Sequence, residues 1–101
     1  MIYQGTTQQH IIKLPIVTDL IEKLEIYYSQ NGVLLFEKTL NDCIVEENKI
    51  TVSLTQEETL RFNPGLPAQV QVRYMTKENE VITSKIGRDA VYPILKKAVL
   101  E

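Results

Sequence analysis

The sequence has no tryptophan, a single cysteine (Cys43) and a single histidine (His10). One cysteine excludes an intrachain disulfide, so the chain carries no mark of an oxidising compartment. One histidine, with no HxH, CxxC or HExxH spacing, offers no set of three or four convergent ligands for a metal. It also lacks the nucleophile and orienting acid that a catalytic histidine needs. The four glycines are isolated from one another, which excludes a glycine-rich phosphate loop. Basic runs are missing too. No Lys/Arg cluster exceeds Lys96-Lys97, and 11 basic residues face 13 acidic ones for a net charge of −2. A nucleic-acid binder shows a basic stripe, so no nucleic-acid partner is expected. No apolar run approaches the roughly 20 residues that cross a bilayer as a helix, so no membrane partner is expected either. The opening "MIYQGTTQQH" lacks the basic and apolar regions of a secretory signal. The expectation is a protein made and folded in a cytosol.

What is present is a chain of 101 residues with 44% hydrophobic and 24% charged side chains, enough for one domain over residues 1–101 with its own core. Its pattern is a series of short period-2 runs divided by turn signals. Structure is expected to begin near "TTQQHIIKLP", where His10, Ile12 and Leu14 share one parity and Ile11 and Lys13 the other. Pro15 cannot donate to a ladder, so this strand ends there or lies on an edge. "IEKLEIYYSQNGVLLFEK" reads as a hairpin about Asn31-Gly32. A loop of Asn31-Gly32 alone sets Tyr28 opposite Leu35. A loop from Gln30 to Gly32 sets Tyr28 opposite Leu34 and Ile26 opposite Phe36. The second is preferred because Phe36 then shares a face with Leu24, Ile26 and Tyr28. In either register Tyr27 and two apolar neighbours, Val33 with Leu35 or Leu34 with Phe36, face outward. That is more apolar than a solvated sheet face should be.

Further on, Cys43 and Val45 belong to a short strand, and Ile50, Val52 and Leu54 face the core of the next. Thr55 followed by Glu58 is a capping box that opens a helical turn, closed by "NPG". The acidic pair Glu57 and Glu58 thus has a structural explanation at a helix N-terminus. "AQVQVRYMT" alternates Val70, Val72 and Tyr74 against Gln69, Gln71 and Arg73, and "VITSKIG" pairs back with Ile82, Ser84 and Ile86 on one parity. Pro93 suits the first position of a short C-terminal helix, "PILKKAVLE", with Ile94, Leu95, Ala98 and Val99 as its apolar stripe. The fold class is all-β, an antiparallel sandwich of about seven strands with one helical crossover turn and a short C-terminal helix.

"GTTQQHIIKLP", "EIYYSQNGVLLFEK", "ITVSLTQEETLRF", "AQVQVRY" and "VITSKIG" resemble small phage and prophage structural proteins of Gram-positive bacteria. The likeness spans about residues 5 to 90. It implies an immunoglobulin-like fold similar to the N-terminal domain of siphophage upper baseplate proteins. It also implies a virion location for a protein made in the bacterial host cytoplasm, and a tail, baseplate or connector role. It carries no active-site residue, and the tail "YPILKKAVLE" is longer than the group's pattern.

The remaining chemistry-bearing residues favour the same reading. Cys43, between Asp42 and Ile44 in a strand, reads as an inert thiol. Asp42, Glu46 and Glu47 with Asn48 lack the spacing of an EF-hand loop. Five tyrosines without tryptophan make a poor carbohydrate module. The expectation is therefore no enzyme, no catalytic residue, no metal and no cofactor. In its place stands a protein that self-associates or binds other virion proteins through Tyr27, Val33 and Leu35 on the hairpin and Tyr92, Ile94, Leu95 and Val99 near the C-terminus. Alternatively, the C-terminal helix covers the hairpin face within one chain. A small carbohydrate- or peptide-binding sandwich is the alternative function.

Overall fold

A computed structural model describes residues 1–101. Its strands are β1 (Ile2–Tyr3), β2 (Gln8–Lys13), β3 (Ile21–Gln30), β4 (Val33–Thr39), β5 (Cys43–Glu46), β6 (Lys49–Leu54), β7 (Ala68–Thr76), β8 (Val81–Thr83), β9 (Gly87–Asp89) and β10 (Val91–Tyr92). One helical turn, α1 (Gln56–Leu60), crosses from β6 to β7. One sheet runs β2-β6-β5. A second runs β4-β3-β7, with β8 and β9 sharing the far side of β7, and β1 and β10 form a separate two-stranded ribbon. This order, with α1 as the crossover, is that of an immunoglobulin-like sandwich. The last predicted strand, residues 81–87, is broken into β8 and the start of β9.

The expected alternations build the core. Leu24, Ile26 and Tyr28 from β3, Ile50, Val52 and Leu54 from β6, and Val72 and Tyr74 from β7 are all buried. Each such side chain contributes roughly 1.5–3 kcal/mol of transfer free energy. Tyr28 stacks on Phe36 at 4.9 Å, and both rings meet the edge of Phe62. The polar Gln30 closes one end of this core. Its amide donates to the Asn63 and Leu66 carbonyls and accepts from the Asn63 N–H.

The structure corrects the sequence reading at four places. Neither hairpin register is the observed one. The turn holds only Asn31-Gly32, both at positive φ as a type I′ turn requires. Gln30 pairs with Val33 and Ser29 with Leu34, but Tyr28 pairs with Phe36. Leu35 is the extra residue of a bulge, which lets Phe36 join the core face after a tight turn. The bulge also sets Glu25 opposite Thr39, whereas the three-residue loop would set it opposite the like-charged Glu37.

Order begins earlier than expected. Ile2 is fully buried, and β1 pairs in parallel with β10. A two-residue strand has no periodicity to read, and only the return of residues 91–92 creates its partner.

Ile86 leaves the parity of Ile82. Tyr74 faces Ile82 and Val70 faces Gly87, so one extra residue lies between the two registers. The Ser84 hydroxyl accepts from the Val72 N–H at that irregularity. An odd insertion sends the side chains beyond it to the opposite face.

The C-terminal helix does not form. Residues 93–101 are irregular, because a nine-residue segment cannot offset helix nucleation by itself and its backbone finds other partners. The Ile94 N–H donates to the buried Gln4 side chain, and Gln56 both accepts from the Leu100 N–H at 2.8 Å and donates to its carbonyl.

Candidate interaction surfaces

The outer face of the larger sheet carries Tyr27, Leu34 and Ile86 around a groove of about 270 Å³, with Ser29, Gln69 and Gln71 as its polar lining. Three features put the apolar members there. Tyr27 has the outward parity of β3, Leu34 pairs with outward-facing Ser29 before the bulge, and Ile86 is turned outward by the irregularity at Ser84. Leu34 is 53% exposed and Ile86 49%. The Tyr27 hydroxyl donates to Glu25 Oε1 at 2.6 Å. That bond to a carboxylate raises the phenol above its ordinary range.

The residues expected to carry association fall into two separate groups. Tyr27 lies on the groove. Val33 is exposed at the hairpin tip. Leu35 does not face outward. As the bulge residue it packs, with Phe36, against the core. Tyr92 lies in the β1–β10 ribbon, stacked on Tyr3 at 5.0 Å. Ile94 reaches Gly5, where an added Cβ would lie 2.9 Å from its Cδ1. Val99 lines a shallow pocket with Thr7, Thr55, Gln56 and Glu57, and Leu95 is fully exposed. The tail therefore docks on α1 and the loop between β1 and β2, and it does not cover the hairpin face.

Sequence reasoning named neither Leu34 nor Ile86 as an interface residue. It also missed the outer face of β2-β6-β5. There Ile11 is 65% exposed and Ile44 60%, and both are cross-strand neighbours of Thr51. The signal was present, since Ile11 has the opposite parity to the core-facing residues His10 and Ile12.

The groups that could do chemistry have structural partners. His10 Nδ1 lies 2.9 Å from the Tyr28 hydroxyl. Burial lowers the imidazole and, with its neighbours, raises the Tyr28 phenol, so both rest neutral. The Cys43 thiol donates to the Thr39 carbonyl, and burial raises it, the reverse of an activated nucleophile. Asp42 accepts from the Thr39 N–H and hydroxyl, a cap that holds its carboxyl below the usual range.

The capping box is as expected. Thr55 Oγ1 accepts from the Glu58 N–H and Glu58 Oε1 from the Thr55 N–H. Lys38 adds an ion pair to Glu58 at 2.8 Å. Partial burial alone would raise Glu58. The bonds from Lys38 and Thr55 outweigh it and hold the carboxyl below the usual range. No three His, Cys, Asp or Glu side chains converge as a ligand set.

With the topology and both outer faces in view, comparison with solved structures bears on the fold. The immunoglobulin-like domain of mouse leukocyte-associated immunoglobulin-like receptor 1, solved as a strand-swapped dimer, superposes with a TM-score of 0.51 at 16% identity, over 91% of this chain and 85% of that one. The extracellular domain of the same mouse receptor, also a strand-swapped dimer, aligns with a TM-score of 0.47 at 17% identity, over 100% of this chain and 83% of that one. The chain is an immunoglobulin-like β-sandwich. No protein-family model and no curated protein matches the sequence.

Proposed function

We propose that this sandwich is a non-enzymatic structural or assembly protein of a phage or prophage particle, acting through contacts with itself or with other virion proteins. The observation that carries the reading is the placement of exposed apolar side chains on both outer sheet faces. Tyr27, Leu34 and Ile86 lie on one, Ile11 and Ile44 on the other. Aromatic and aliphatic side chains grouped on rigid strands, with polar groups at their margin, fit a protein-binding surface. The phage setting rests on the sequence resemblance.

The test is fractionation of particles released from the source bacterium after prophage induction. The chain should co-purify with the particles at a fixed ratio to their other structural proteins. Its absence from washed particles overturns the reading.

A second reading, a carbohydrate- or peptide-binding module, rests on the groove beside Tyr27, whose Gln69 and Gln71 amides could orient a polar ligand. Saturable binding of an oligosaccharide or peptide, abolished by Tyr27→Ala, would favour it.

A further inference from the structure

The three-stranded sheet ends in β2 on one side and β5 on the other, each with β6 as its sole strand neighbour. Their outer edges carry backbone N–H and C=O groups that no strand uses, a ready template for another chain.

The registers across β6 show how these two edges relate. Lys13 and Glu46 both face Lys49, while Ile11 and Ile44 both face Thr51. The opposite edges thus present an acid and a base in one row, and two isoleucines in the next. All four edge side chains are exposed. Because β2 and β5 are each antiparallel to β6, they run parallel to each other.

We infer that the β5 edge of one copy receives the β2 edge of a second copy, in parallel and in the same rows, so that the sheet continues from one molecule to the next. Lys13 of the second copy then lies about one strand spacing, ~4.8 Å, from Glu46 of the first. Ile11 of the second copy lies at the same spacing from Ile44, and two half-exposed side chains cover each other. Ladder hydrogen bonds supply the attraction, and the ion pair selects partner and register.

Charge argues against the symmetric alternative at the acidic edge. Antiparallel pairing of β5 with another β5 would crowd Asp42, Glu46 and Glu47 of both copies together, and like charges across strands destabilise. Lys13 blunts its edge against indiscriminate pairing and accepts an acidic one. The contact is head-to-tail. Each added copy leaves one β2 and one β5 edge free, so association proceeds to a ring or an open filament.

This inference rests on the assembly reading above and names its surface. The experiment is sedimentation velocity of the full chain over a concentration series. It compares the parent with Lys13→Glu, Glu46→Lys, the double reversal, and Val81→Asp at an exposed position of β8 on the other sheet. Far-UV circular dichroism checks that each variant is folded. The parent should form oligomers larger than a dimer. Each single reversal should weaken association about tenfold, because a lost attraction is replaced by a repulsion. The double reversal should return it to within about threefold of the parent, and Val81→Asp should leave it unchanged.

Three outcomes overturn the edge contact. An oligomer indifferent to both single reversals, or one abolished by Val81→Asp, places the interface elsewhere. A parent that stays monomeric at every concentration removes self-association altogether. None of these alters whether the chain is found in particles, so the assembly reading stands or falls separately.

Discussion

Residues 55–62 and 93–101 both invite a short helix, and only the first forms one. In α1 the N-terminal groups are satisfied by the Thr55–Glu58 box, and Thr59 and Phe62, on and just beyond the turn, are fully buried. The tail has more apolar residues, yet Leu95 and Leu100 lie in solvent and the backbone is held by Gln4 and Gln56. A single helical turn persists where its ends are capped and its apolar residues have a core to enter. An apolar stripe without a destination does not suffice.

The largest test of that contrast is Phe62→Ala. Phe62 meets Tyr28 and Phe36 edge to face, so truncation should cost about 3–5 kcal/mol in urea denaturation. A cost below ~1 kcal/mol would show that α1 does not depend on the core.

Next is Thr55→Ala, expected to cost about 1 kcal/mol as a lost N-cap. The same cap has a pH signature. Glu58 is depressed in the folded protein, so its contribution is complete above the ordinary glutamate value of about 4.3 and disappears as pH falls through the folded value. Glu58→Gln should therefore flatten stability against pH below about 4.3. An unchanged acid limb would assign it to other groups.

The smallest effect should come from the tail. Deleting residues 93–101 should leave the sandwich folded and lower stability by no more than about 1 kcal/mol, roughly 4–8 °C in Tm. Failure to fold would make the tail an integral strand substitute and erase the difference between the two segments.

The sequence alone determined the all-β class, the alternating core faces of β3, β6 and β7, the place of the hairpin at Asn31-Gly32 but not its loop length, and the capping box. These arise from periods of two residues, from turn residues that accept positive φ, and from a side chain that bonds its own neighbouring backbone. All are interactions within a few residues.

Tertiary structure decided the bulge at Leu35, the outward turn of Ile86, the burial of Ile2 and the course of the tail. Each depends on a partner distant in the chain. Tyr28 must meet Phe36, β7 must accommodate two strand fragments on one side, β1 needs β10, and Gln56 must lie where Leu100 can reach it. Of the residues proposed for association, Tyr27 was legible from its parity. Leu34 faced outward only in the two-residue-loop alternative, and Ile86 was not legible, because a one-residue irregularity reverses the face of the side chains beyond it and no local pattern records where such a shift falls.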